Sequence, residues 1–170
     1  MSNYKRFILF IIFLISFPIV SFSQQNSGTW KDHKTLLYTG AGLYKVFSLT
    51  DSKQGQTSYV ISSTLTFRPN KFIYLNTGID LYKPESSRQI TASINFVPSF
   101  GFEEDNIMVC FGAGGALFAG EDGFTLRFLA GFKANYFFKK KFAASLEVKS
   151  PLYYDNAAEF LFTAGITFVL

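Results

Sequence analysis

Cysteine occurs once in this chain, at Cys110, and histidine once, at His33. A single cysteine excludes a disulfide framework and every CxxC pattern used for redox or zinc chemistry. His33 stands in a polar stretch, with no cysteine or carboxylate cluster at ligand spacing, and is read as a solvated side chain. No metal site is therefore expected. Nor does any segment pair a nucleophile with a histidine beside it, so no catalytic residues are assigned. Gly112-Ala-Gly-Gly115 fails the GxGxxG pattern at Leu117, no helix follows it, and no cofactor is expected. Charged residues make up only 16% of the chain, well below the ~25% of a typical soluble domain. The net charge of +4 includes Lys5 and Arg6 near the start, and no basic patch marks a nucleic-acid partner. Long apolar runs are missing too. The one at Phe7 to Val20 falls short of the ~20 residues that a membrane-spanning helix needs.

That run has another reading. Lys5-Arg6, then the apolar stretch, then Ser21-Phe22-Ser23 form the charged, apolar and small-x-small segments of a secretory signal peptide. Residues 1–23 are expected to be removed, leaving Gln24 first. Residues 24–34 form a polar lead-in, and 35–170 a single domain.

Phenylalanine is what the chain has in excess, with 22 copies against one tryptophan. The last eleven residues show how it is used. Phe160, Phe162, Ala164, Ile166, Phe168 and Leu170 fall on one face of a period-two pattern, and Leu161, Thr163, Gly165, Thr167 and Val169 on the other. Alternation of this kind predicts a β-strand. Left unpaired, its edge would invite aggregation, and pairing the last strand with the first to close a barrel removes it.

The same alternation recurs upstream. Strands are predicted over 35–49, 59–68, 72–83, 88–102, 107–118, 123–138 and 142–153, which with the last makes eight. Faces are least clear in the first, where Leu36, Tyr38, Tyr44 and Val46 compete with Leu37, Leu43 and Phe47, and the fifth is rich in glycine. Three-residue turns are placed at Asn70 and Lys140, so that Arg68 faces Phe72 and Phe138 faces Phe142. Four-residue turns are placed at 84–87, 103–106 and 119–122, with loops at 50–58 and 154–159. Pro98 predicts a bulge or an end to regular pairing. Because a one-residue slip would turn every side chain to the other face, the agreement of face assignments across these turns supports one continuous antiparallel meander. Centring a turn on Lys140 sets Lys133 opposite Glu147, within reach of an ion pair.

Alternation alone leaves open which face is inside. A lipocalin-like soluble barrel puts the apolar face in, and a membrane barrel puts it out. The polar face carries about one charge per strand, Arg68, Asp80, Arg127, Lys133, Glu147 and Lys149, amid Ser, Thr, Asn and Gly. This set suits a crowded lumen network. The aromatic residues Phe67, Phe72, Phe102, Tyr136, Phe138 and Phe142 gather near the short turns, as a belt at a membrane interface would. Strands of about ten residues, tilted ~45°, span the ~25 Å apolar band of an outer membrane. Gly112 and Gly114 are then expected to make room inside for Tyr74 or Tyr82.

Thr163-x-Gly165-x-x-Phe168-x-Leu170 resembles the C-terminal assembly signal of outer-membrane β-barrel proteins, with Leu170 where many end in Phe or Trp. Together with the leader and the eight strands, the chain resembles small eight-stranded outer-membrane barrels of the OmpA/OmpX type over 35–170. The resemblance implies an all-β, up-and-down transmembrane barrel with both termini and the short turns in the periplasm. It also implies outer-membrane lipid and the barrel-assembly machinery as partners, and a monomer with a structural or surface role. Two alternatives stay open: a narrow channel or binding barrel for a small molecule, hydrophobic ones included, and a soluble secreted lipocalin-like ligand-binding barrel.

Overall fold

The computed structural model describes residues 30–48, 57–83, 89–121, 123–152 and 157–170. The expected leader, most of the lead-in, and much of the loops at 50–58, 84–87 and 154–159 lie outside the described residues. A 3-10 turn at Trp30–Asp32 precedes eight strands: β1 (Thr35–Ser48), β2 (Thr57–Phe67), β3 (Ile73–Tyr82), β4 (Thr91–Glu104), β5 (Ile107–Gly120), β6 (Gly123–Lys139), β7 (Phe142–Leu152) and β8 (Ala157–Val169). Each pairs antiparallel with the next, and β8 returns to β1 to close the barrel. Closure satisfies the backbone groups of the last strand, from Leu36↔Val169 to Ser48↔Ala157. No open edge is left at this seam.

The apolar faces point outward. Ile61, Ile94, Phe96, Phe100, Phe111, Phe128, Leu146, Phe162 and Ile166 are all exposed, while Ser62, Thr64, Asp80, Asn95, Lys133, Asn135 and Glu147 are buried inside. This is the reverse of a water-soluble barrel, whose strands turn their apolar side chains inward.

Partners resolve the face of β1 that its own residues left open. Tyr38 lies opposite Thr64 on one side and Thr167 on the other, both of them interior residues. Leu36, Tyr38 and Tyr44 therefore point in, and Leu43 and Phe47 point out. Leu37 shares the outer face but is covered, with Leu65 and Phe168 opposite it on the two neighbouring strands.

Several turns are tighter or placed differently than expected. The register Phe67↔Leu75 carries the β2–β3 turn beyond Asn70, so Arg68 does not face Phe72. The Asn70 side chain accepts hydrogen bonds from the backbone N–H groups of Phe72 (2.8 Å) and Ile73 (2.9 Å), which stabilises the longer reversal. Hairpins β4–β5 and β5–β6 close on Glu104↔Ile107 and Gly120↔Gly123, two residues tighter than four-residue turns. Asp105 and Gly123 take positive φ there (42° and 97°), as such short reversals demand. Each of these shifts is by an even number of residues, so the faces are preserved. At the β6–β7 turn the register Lys133↔Glu147 holds as far as Phe137↔Ala143, then shifts to Lys139↔Phe142. Phe138 is the extra residue of that bulge and does not face Phe142.

Pro98 neither ends β4 nor displaces it. Phe96↔Gly115 and Ser99↔Gly112 keep one register across it, and only the ladder contacts between them are lost. Pro98 has no N–H to donate, and it faces outward. Gly112 and Gly114 do not make room for Tyr74 or Tyr82. A Cβ on either would collide with a backbone carbonyl of β4, that of Pro98 or Phe96 respectively. These glycines allow close approach of neighbouring strands. Gly42 does the same at the seam, where a Cβ would strike the Phe162 carbonyl, whereas at Gly115 the nearest atom is Arg127 O at 3.9 Å. Gly42→Ala is expected to destabilise the barrel by about 1–3 kcal/mol through overpacking, and Gly115→Ala to be near neutral. Urea unfolding in lipid vesicles checks the pair.

Candidate functional site

The interior is organised in three layers along the barrel axis. At the short-turn end, Leu36, Tyr74, Met108, Cys110, Phe137, Ala143 and Val169 form one apolar cluster. Towards the loop end, Tyr44, Val60, Tyr82, Val97, Ala116, Phe118, Leu129 and Leu161 form another. Between them lies a charged layer.

Lys149 is at its centre. The ammonium lies 2.8 Å from Asp80 Oδ1 and 3.2 Å from Glu147 Oε2, and all three side chains are almost fully buried. It also donates to Ser62 Oγ (3.2 Å) and Thr64 Oγ1 (3.3 Å). The carboxylates are satisfied in turn. Asp80 accepts from Ser62 (2.5 Å), Ser93 (3.1 Å) and Asn95 (2.8 Å), and Glu147 accepts from Ser62 (3.2 Å) and Thr64 (3.1 Å). Short hydroxyl and amide side chains at alternate positions of β2 and β4 thus supply what buried carboxylates need.

Lys133 stands opposite Glu147 in the β6–β7 ladder, yet the ion partner of Glu147 is Lys149 on its own strand. Lys133 instead donates to Thr66 Oγ1 (3.2 Å) and rests over the Tyr38 ring, 4.8 Å from its centroid. The aromatic face partly offsets the cost of burying an ammonium. Two more ion pairs flank the centre. Arg68 bonds Glu103 at 2.6 Å and the Lys31 carbonyl, and the Tyr74 hydroxyl donates to the same Glu103 oxygen (2.8 Å). Near the loop end Arg127 meets Glu159 at 3.5 Å and lies over the Phe118 ring. Beside it Tyr44 and Tyr82 stack with centroids 4.4 Å apart.

Glu103 and Glu159 are missed by alternation, which places Glu103 in the 103–106 turn and Glu159 in the 154–159 loop. Glu103 lies within β4 and Glu159 within β8, on the inner face. The signal that would have located them is charge balance. Arg68, Arg127, Lys133 and Lys149 would otherwise outnumber Asp80 and Glu147 in a closed lumen. His33 also differs from expectation: its Nδ1 is 3.1 Å from the Leu170 carbonyl oxygen, so it is half-buried against the chain end.

A gap lined by Asn95, Lys133, Glu147 and Lys149 measures about 10 Å³, room for about one water molecule. Among the described residues no group of His, Cys, Asp or Glu could hold a metal ion, and Cys110 is a buried free thiol. The aromatic residues Phe67, Phe72, Phe102, Tyr136, Phe138 and Phe142 are exposed on the outer surface towards the short-turn end. In β8, Thr163 faces in, Gly165 packs against the Thr39 carbonyl, Phe168 meets Phe142 edge-on (5.6 Å), and Leu170 N donates to Thr35 O (3.0 Å).

No protein-family model matches the chain, and no curated protein matches its sequence. Solved structures do resemble it in three dimensions. Neisserial surface protein A superposes with a TM-score of 0.62 at 14% identity, over 80% of this chain and 97% of that one. A de novo designed transmembrane β-barrel gives 0.54 at 14% identity (80% and 95%). The attachment invasion locus protein Ail of Yersinia pestis gives 0.53 at 9% (80% and 97%). At such identities the likeness is one of fold: this chain is an eight-stranded antiparallel β-barrel that resembles outer-membrane barrel proteins of known structure.

Proposed function

We propose that the protein is an integral outer-membrane β-barrel with a filled polar lumen, serving a structural or surface role without catalysis. The observation that carries this reading is the reversal of faces: paired charges inside, large apolar side chains outside. An outer surface of that composition is aggregation-prone in water and well solvated by lipid. The aromatic residues at the short-turn end fit an interface belt. On this reading residues 1–23 are a cleaved leader, 24–34 a periplasmic lead-in and 35–170 the membrane domain. Both termini and the short turns lie in the periplasm.

Filling argues against the narrow-channel alternative. Two apolar clusters cap a charge-balanced layer whose gap holds about one water, and an eight-stranded barrel is just wide enough for its side chains. The soluble alternative requires the opposite facing. Outer-membrane fractionation and a heat-modifiable gel band are expected, with no steady conductance in planar bilayers. Release by carbonate or high salt would refute the membrane assignment, and steady channels would refute the filled lumen.

The charged layer supplies a stability test. Lys149→Ala leaves Asp80 and Glu147 without their common cation, and it is expected to cost about 3–5 kcal/mol. The fourfold change Lys149→Met, Lys133→Met, Asp80→Asn and Glu147→Gln, which removes two cations and two anions together, should recover much of that loss. Urea unfolding in vesicles compares the two.

The end of β8 is proposed to be read by the assembly machinery through Thr163, Gly165, Phe168 and Leu170. Phe168→Ala or loss of Leu170 should lower the amount of heat-modifiable protein in cells more than it lowers stability in vitro. Wild-type levels of both variants would show that this end carries no assembly signal.

A further inference from the structure

The short-turn rim of the barrel is strongly and asymmetrically charged. Lys139, Lys140 and Lys141 occupy the end of β6 and the turn into β7, and all three are exposed. Val169 N donates to Lys141 O (3.0 Å), Leu170 N to Thr35 O (3.0 Å), and Arg68 N to Lys34 O (2.7 Å). These backbone bonds run side by side along the rim, from the β6–β7 turn past the chain end to the start of β1 and the end of β2. Exposed Lys34 and Lys31 lie on this path, and exposed Lys71 follows in the β2–β3 turn. Among the described residues, the acidic side chain within the arc is that of Asp32. The other acids of this rim, Glu104 and Asp105, belong to the β4–β5 hairpin outside the arc, and Glu103 is turned inward to Arg68.

The lysines adjoin the aromatic belt. Lys71 Nζ lies 4.9 Å from the centroid of the Phe72 ring. Phe138 and Phe142 flank the Lys139–Lys141 turn on the outer face, and Phe142 packs edge-on against Phe168. Rings of this kind sit at the level of lipid headgroups, and lysine stems extend along apolar surface to put their ammonium groups at the polar boundary. The arc thus presents a row of point charges at the depth of the lipid phosphates.

We propose that this arc is a binding surface for anionic glycerophospholipids, which it draws to the short-turn side of the barrel through their phosphodiester headgroups. The inference rests on the membrane reading above. The test uses the full chain folded into phosphatidylcholine vesicles, probed with spin-labelled phosphatidylglycerol and spin-labelled phosphatidylcholine. The expected result is stronger association of phosphatidylglycerol with the protein, by about fivefold, the factor that one lysine contributes near an anionic surface. That preference should collapse at about 0.5 M salt, where screening is nearly complete at headgroup distances. It should also fall in the combined Lys139→Gln, Lys140→Gln and Lys141→Gln variant, and persist in Lys83→Gln at the opposite rim. If the triple variant gives no heat-modifiable band, the Lys34→Gln and Lys71→Gln double variant takes its place. Motionally restricted lipid with no preference between headgroups would overturn the inference and leave the membrane reading intact. A preference unmoved by both salt and the variants, or lost equally in Lys83→Gln, would also overturn it. Absence of restricted lipid of either kind would instead refute the membrane reading.

Discussion

One ammonium group holds the interior together. Lys149 Nζ bridges Asp80 on β3 and Glu147 on its own strand β7, and it reaches Ser62 and Thr64 on β2. A closed eight-stranded barrel leaves no route for bulk water to its centre, so a charge placed there must find its counter-charge among inward side chains. The interior follows that constraint throughout. Asp80 and Glu147 face Lys149 and Lys133, while Arg68 with Glu103 and Arg127 with Glu159 balance above and below. The hydroxyls and amides between them take up the remaining hydrogen bonds.

The layering gives this network its strength and its limits. Apolar clusters at both ends keep water away from the middle, which strengthens the attraction between unlike charges and raises the penalty for leaving one alone. A lumen built this way favours one arrangement over many.

Closeness of backbone is the second requirement, and it explains the glycines better than any binding role. Gly42 and Gly165 at the β8–β1 seam and Gly101, Gly112 and Gly114 at the β4–β5 pairing each stand where a Cβ would meet a carbonyl of the adjoining strand. Of the three glycines in the run Gly112-Ala-Gly-Gly115, only Gly115 has room for a Cβ, with Arg127 O at 3.9 Å the nearest atom.

The sequence by itself determined the eight strands, their order and, for six of them, which residues share a face. Period-two alternation is a local property, and it survives every turn shift of an even number of residues. It also put Asp80, Lys133, Glu147 and Lys149 on the polar face of their strands, and these side chains are buried. Only the tertiary structure decided the rest. The face of β1 was settled by Thr64 and Thr167 across two ladders, since aromatic and aliphatic residues occur on both of its faces. The turn positions depended on the Asn70 side chain and on positive φ at Asp105 and Gly123, which alternation does not register. Lys149 took Glu147 in place of Lys133 because ion pairing inside a barrel runs across the lumen and along a strand as well as between ladder neighbours. Glu103 and Glu159 joined the interior because β4 and β8 extend past the residues that look like turns, and buried cations there required them.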